Sequence, residues 1–227
     1  MTVLLPIITG VASLISFLLM LRDIDDQKKA LVKEGEYSQA MGVRLSLPAL
    51  IYSILCIILT VVIAVFFPKI YPDNSVWVNI KRMVLLAIIW PIAYIDLKTL
   101  RIPNLFVIYG LICRGIILVF EFFLGNPYIW QSLLSEAIAS GALLLAAGLC
   151  ALVVKNGIGF GDMKLFIVMG LMLSLDGIWS AVFLALVVSF FIALFVLITK
   201  KKSRKDAIPF GPALVIGTFL SICLSGM

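Results

Sequence analysis

The sequence predicts an all-α, polytopic membrane protein with about eight transmembrane helices. Of its 227 residues, 63% are hydrophobic and 13% are charged, whereas soluble domains are roughly 45–50% apolar and ~25% charged. The mean hydropathy is +1.19. The apolar residues also fall into long runs, and a run of about 20 residues is long enough to cross a bilayer as a helix. Composition and run length therefore predict the same class.

The first four runs predict four spans that differ in how they begin. The first lacks a basic stretch and a small-residue cleavage site, so we expect a retained span and not a cleaved signal peptide. The second is uninterrupted, and the third contains Pro91, which predicts a tilted, broken or partly interfacial helix. Pro103 cannot continue a helix and Asn104 is a good N-cap for the fourth. These spans are predicted at 2–21, 47–67, 78–95 and 104–124.

The last four runs are set off by aromatic, glycine-rich and proline-rich segments. The aromatic residues Tyr128 and Trp130, typical of a membrane interface, precede the fifth. A glycine-rich stretch precedes the sixth, Asp176-Gly177 ends it, and two prolines open the last. These spans are predicted at 133–154, 163–175, 177–199 and 208–226.

The basic residues predict the orientation. Most of the 18 lysines and arginines lie in alternate connections, at 22–46, 96–103, 155–164 and 200–206. The charge count assigns Lys81 and Arg82 to an opposite connection. Because cytoplasmic loops carry the excess of basic residues, we expect these connections on the cytoplasmic side and both termini outside. The formal charge of +6 thus indicates topology and not nucleic-acid binding.

The composition also limits the chemistry. With no histidine, the chain cannot form a Ser-His-Asp triad, a Cys-His pair or an HExxH zinc site. Its four cysteines stand singly, without a CxxC pair. We therefore expect no metal and no cofactor, and any hydrolysis must use carboxylates. Arg114, inside the fourth span, needs a partner, for which Glu121 and Glu136 are candidates in an ion pair. A substrate contact is the alternative.

Two aspartates, Asp96 and Asp162, each adjoin a predicted span at the cytoplasmic boundary. Topology places them at one depth, where two close carboxylates would share a proton and titrate together. Each aspartate also has an alternative interpretation in which it has no catalytic role. Asp162 follows Gly159 and Gly161 and would suit a helix cap, and Asp96 could be a solvated boundary acid.

A third segment, Pro209-Phe210-Gly211-Pro212, opens the last span. Its irregular backbone at membrane depth must be buried in protein or line a wet cavity. We expect either a site for a substrate strand or a plain helix start.

Together these segments resemble the type IV prepilin peptidase family of leader peptidases. The resemblance lies in Ile95-Asp96, Arg101-Ile102-Pro103-Asn104, Gly159-Phe160-Gly161-Asp162-Met163-Lys164-Leu165 and Pro209-Phe210-Gly211-Pro212. It implies a GxGD aspartic endopeptidase with Asp96 and Asp162 as the catalytic pair. Its substrates would be prepilin-like or pseudopilin-like proteins of type IV pili or type II secretion, with a basic leader cleaved after a glycine at the cytoplasmic face. The supporting residues would be Gly159, Gly161, Pro103, Asn104, Pro209, Gly211 and Pro212.

The resemblance covers about 80–227, which we expect to form a six-helix peptidase core. Residues 1–79 would add two spans and a cytoplasmic loop. The loop 22–46 lacks the paired CxxC motifs of the bifunctional members, so N-methyltransfer is doubtful. Its acids, including Asp23, would either attract a basic leader or belong to a solvated mixed-charge loop.

Two rival interpretations remain. A presenilin-like intramembrane protease also uses two aspartates and a Pro-Ala-Leu string, as in Pro212-Ala213-Leu214, but would cleave within a span. A small ion-coupled transporter would use the same acids for proton or cation coupling. The cleavage position or an ion flux would discriminate them.

Overall fold

The structure, a computed structural model, describes residues 4–33, 47–153, 159–199 and 209–225. Over these residues the chain is all-helical, which confirms the predicted class. Six described helices are long and apolar enough to cross a membrane, and a seventh apolar helix is shorter. The number of eight spans therefore stays a prediction. The helices are α1 (Leu4–Lys33), α2 (Leu47–Ile70), α3 (Val76–Thr99), α4 (Asn104–Phe123), α5 (Ile129–Val153), α6 (Phe160–Ile198) and α7 (Gly211–Ser225).

Helix α3 lies at the centre and packs against α1, α2, α4, α6 and α7. Every residue from Met83 to Ile89 is buried, as expected for a helix that is apolar all round. The predicted break at Pro91 is wrong, because α3 continues through it. Neighbouring helices can satisfy the backbone groups near a proline in a membrane helix, and the Tyr52 hydroxyl donates to the Trp90 carbonyl at 3.0 Å.

Helix α6 changes direction at Ser174, where the backbone is non-helical with φ 58° and ψ −174°. Before this residue, Phe166 contacts Phe210 at the start of α7. After it, the Oγ atoms of Ser180 and Ser221, near the end of α7, lie 2.6 Å apart. Further along α6, Ala185 packs against Gly217, which precedes Ser221 in α7. The chain therefore runs toward the end of α7 and then returns along it. The predicted sixth and seventh spans are the two limbs of α6, and the break precedes the predicted Asp176-Gly177.

Helix α1 extends past the predicted span end at residue 21 and reaches Lys33. The added segment contains neither glycine nor proline, and pairs of opposite charge four residues apart stabilise a helix. Lys29 Nζ lies 2.6 Å from Asp25 Oδ2 in such a pair. Residues 22–33 are therefore helical and not part of a loop.

A buried ion cluster joins α3, α4 and α5 and confirms the predicted pairing of Arg114. Its guanidinium donates to both carboxylate oxygens of Glu136, at 2.7 and 3.0 Å, and lies 2.9 Å from Glu121. Lys81 adds a second cation, with Nζ 2.7 Å from Glu136 Oε1. The assignment of Lys81 and Arg82 to a connection is wrong, because both are buried within α3.

Candidate active site

Asp96 lies in the last turn of α3 and is only 6% exposed. The helix ends at Thr99, and Leu100 adopts a left-handed conformation with φ 52° while its N–H bonds back to the Asp96 carbonyl. This cap turns the chain sharply. Asp96 therefore lies where a membrane helix gives way to a connecting segment.

The prediction that Asn104 is the N-cap of α4 is wrong. Pro103 occupies that position with an extended backbone, and its fixed φ suits the start of a helix. Asn104 is the first helical residue, and its Oδ1 accepts a hydrogen bond from Lys164 Nζ at 2.9 Å. This bond joins the beginning of α4 to that of α6.

The first turn of α6 positions Asp162. Gly159 is the N-cap, and its N–H donates to Asp162 Oδ2 at 3.3 Å, so the helix-capping alternative for Asp162 is confirmed as a local role. Gly161 permits a close approach, because a Cβ there would lie 3.0 Å from Ile102 Cβ. The glycine thus lets α6 begin directly against the segment that follows Asp96.

Helix α7 contributes a backbone donor to Asp96. The Gly211 N–H donates to Asp96 Oδ2 at 2.7 Å. A Cβ on Gly211 would lie 2.8 Å from the same oxygen, so a larger residue would displace the carboxylate or the helix. Helix N-termini favour negative charge, and the Asp96 carboxylate lies at the N-terminus of α7.

Asp96 and Asp162 line one cavity of about 590 Å³, together with residues 100–105, 159–161, Lys164 and Asp23. Gly159, Gly161, Pro103 and Asn104 are among these lining residues. Gly211 reaches the site through its bond to Asp96, whereas Pro209 and Pro212 flank that bond and do not line the cavity. The cavity combines three acids, Asp23, Asp96 and Asp162, with the cations Arg101 and Lys164.

Asp23 also lines the cavity, and the sequence alone left its role undecided. It is only 7% exposed, its Oδ2 accepts from Gln27 at 2.6 Å, and Arg101 contributes to its electrostatic surroundings. A signal was available, because Ser16, Met20 and Asp23 continue the spacing of three or four residues typical of one helix face. That pattern places Asp23 on the inward face of α1.

The arrangement can support proton transfer. Carboxylates that share a cavity can act as a general acid and a general base, the protonated one as donor and the ionised one as acceptor. Among the described residues, no group of three or more acids and cysteines is arranged to hold a metal ion.

The fold and the cavity define a helical, multi-pass membrane protein with paired acids at one end of its central helix. The type IV leader peptidase family matches residues 83–198, a stretch that includes both acids and covers about half of the chain. The protein therefore belongs to the type IV leader peptidase family, as the motifs predicted.

One curated relative matches as well. The chain is 30% identical over 83 residues to a protein of Bacillus subtilis (strain 168) called "Prepilin leader peptidase/N-methyltransferase". The match covers 37% of this chain and 33% of that protein, so it spans about a third of the relative's length. No solved structure matches the chain significantly.

Proposed function

We propose that this protein is an aspartic endopeptidase that removes the basic leader from type IV prepilin-like or pseudopilin-like proteins. The observation that supports this function most directly is that Asp96 and Asp162, which are distant in sequence, line one cavity. Membership of the leader peptidase family and the relative's name support the substrate class. The pilus or type II secretion setting belongs to the same proposal.

In the proposed reaction, a water molecule lies between the two carboxylates. The ionised aspartate withdraws a proton from this water, which attacks the scissile carbonyl, and the protonated aspartate donates to the carbonyl oxygen. The C–N bond then breaks as the first aspartate passes its proton to the leaving amine and the second recovers a proton from a hydroxyl of the tetrahedral intermediate. We assign the ionised role to Asp96, because the bond that it accepts from Gly211, at 2.7 Å, is shorter than the 3.3 Å bond that Asp162 accepts from Gly159. Asp162 then starts as the proton donor.

The proposal includes location and organisation. We place the protein in a bacterial-type inner membrane, and the excess of basic residues in alternate connections favours a site that faces the cytoplasm. Residues 80–227 would form the peptidase core, and 1–79 would supply two additional spans. We do not extend the second activity in the relative's name to this chain, because its cysteines stand singly.

Cleavage of a prepilin tests the function directly. We expect the purified protein in detergent to cut a prepilin once, at the boundary between its basic leader and its apolar helix. Mass spectrometry of the released peptide and of the new N-terminus would locate the cut. A cut inside the apolar helix would favour the presenilin-like alternative, and an intact substrate under all lipid and detergent conditions would contradict the proposal.

Asp23 predicts a preference for a basic leader. A buried carboxylate on the cavity wall would pair with a leader lysine or arginine, and one charge-assisted hydrogen bond contributes roughly 1.5–3 kcal/mol. We expect Asp23→Asn to raise KM about tenfold, which corresponds to ~1.4 kcal/mol, and to leave kcat nearly unchanged. Steady-state kinetics would measure both constants.

Two controls separate this pairing from a general defect. Asp25→Asn alters an exposed acid of the same helix that does not line the cavity, and should leave KM unchanged. A prepilin whose leader lysines and arginines are replaced by glutamine should be cleaved equally well by Asp23→Asn and the wild type. A tenfold difference on that neutral leader would refute the pairing.

A further inference from the structure

Helices α5 and α6 touch closely at one end and separate toward the other. A Cβ on Gly170 would lie 2.6 Å from Ser140 Oγ, and the Leu175 N–H donates to Ser135 Oγ at 3.0 Å. Toward the beginning of α6 the contact loosens, since the nearest atom to a Cβ on Gly148 is a methyl carbon 3.9 Å away. The two helices therefore form a V that opens at the end holding the cavity.

The opening of the V is an apolar groove of about 790 Å³, which we call the α5–α6 groove. Leu145, Leu149 and Leu152 of α5 form one side, and Phe160 and Met163 of α6 form the other. No charged residue lines it within the described part of the chain. The cavity that Asp96 and Asp162 line, which we call the aspartate cavity, differs from the groove because five charged side chains line it.

The groove and the aspartate cavity meet. Gly159 and Phe160 line both of them, and Asp162 follows two residues after Phe160. Phe160, at this junction, is 82% exposed. An extended ligand can therefore pass from polar to apolar surroundings within a few residues of the carboxylates.

We propose that the α5–α6 groove holds the apolar helix of the protein substrate, immediately after the bond that is cut. The inference rests on the proposed peptidase function and adds the route by which the substrate reaches the aspartates. The substrate of that function has a polar leader followed by an apolar helix, the order in which the cavity and the groove adjoin.

Packing energetics support a helix in this position. Lipid tails are as apolar as leucine, so helices associate in a membrane through close packing and not through hydrophobic burial. Small residues permit that packing, and Gly148, Ala151 and Gly159 are part of the groove wall. A flat lipid-facing surface would offer neither the concavity nor the connection to the cavity.

A tryptophan in the groove tests the proposal. We expect Leu149→Trp to raise KM about tenfold for a full-length prepilin, a loss of ~1.4 kcal/mol in binding. The same variant should cleave a short peptide, with the leader and the cleavage site but no apolar helix, at the wild-type kcat/KM. Leu134→Trp is the matched control, because Leu134 is an exposed residue of the same helix outside the groove. Equal effects on both substrates, or none on either, would overturn the proposal.

A binding experiment keeps the groove distinct from the cleavage reaction. A prepilin carrying benzophenone-alanine in the first turns of its apolar helix is photolysed with the Asp162→Asn protein in lipid nanodiscs. We expect cross-links to Leu145, Leu149 or Leu152, and fewer of them with Leu149→Trp. Cross-links confined to other helices would overturn the groove, as would exclusive labelling of lipid, even if the wild type cleaves. If the wild type fails to cleave but the cross-links to the groove form, only the proposed peptidase function would be overturned.

Discussion

Asp162→Asn and Asp96→Asn are each expected to lower kcat for prepilin cleavage about 10³-fold. Positioned acid and base groups contribute roughly 10²–10⁴-fold, and an amide can neither accept the proton of the attacking water nor donate as a carboxylic acid. KM should change little, because the amide retains the shape of the side chain. Single-turnover kinetics, with excess protein over prepilin, would measure the chemical step.

Asparagine is the informative replacement because it preserves the local structure. Its amide oxygen can still accept the N–H of Gly211 at position 96 or that of Gly159 at position 162. The helix starts should therefore remain intact, and thermal unfolding in detergent should match the wild type. Asp73→Asn, an exposed acid between α2 and α3, is the control for a change of charge alone.

The double variant strengthens the test. Groups that act as one unit show non-additive losses, so Asp96→Asn combined with Asp162→Asn should be no slower than either single variant by more than a few-fold. A folded single variant that retains the wild-type rate would remove that aspartate from the mechanism. Multiplied losses would indicate that the two residues act in separate steps.

The sequence predicted the shared position of the aspartates because topology depends on hydropathy and charge, which are local properties. Asp96 ends the third predicted span and Asp162 precedes the sixth, and because two spans lie between them both carboxylates are predicted on the same face. The contact of Gly211 with Asp96 was not predictable in this way. It depends on how α7 packs on α3, and sequence patterns do not determine which helices are neighbours.

The predicted breaks show the same limit. Pro91 is a strong helix breaker in isolation, yet α3 continues through it within a shell of other helices. Ser174 carries no such signal, and its positive φ is unusual for a residue with a side chain. The turn there depends on tertiary contacts such as the bond from Leu175 to Ser135.

Glu136→Gln is expected to destabilise the fold by about 3–5 kcal/mol, the usual cost of breaking a buried ion pair. The carboxylate is only 1% exposed and pairs with two cations, Arg114 and Lys81. Glutamine removes the negative charge and leaves Glu121 as the remaining acid of the cluster. Unfolding in mixed micelles, followed by tryptophan fluorescence, would measure the loss.

Charge balance makes this prediction specific. The cluster contains two cations, Lys81 and Arg114, and two acids, Glu121 and Glu136, so its formal charge is zero. Lys81→Met alone leaves an excess acid, and Glu136→Gln alone leaves an excess cation. The double variant restores neutrality with the pair of Arg114 and Glu121, so we expect it to be more stable than Glu136→Gln alone.

The double variant therefore distinguishes charge from packing. If the loss comes from an uncompensated buried charge, the coupling free energy between the two substitutions should be favourable by about 1–3 kcal/mol, within the range for residues in contact. If the loss comes from packing, the two effects should add. Because the cluster joins α3, which carries Asp96, to α4 and α5, additive losses would mean that these helices are held by shape alone, and the buried charges would then need another explanation.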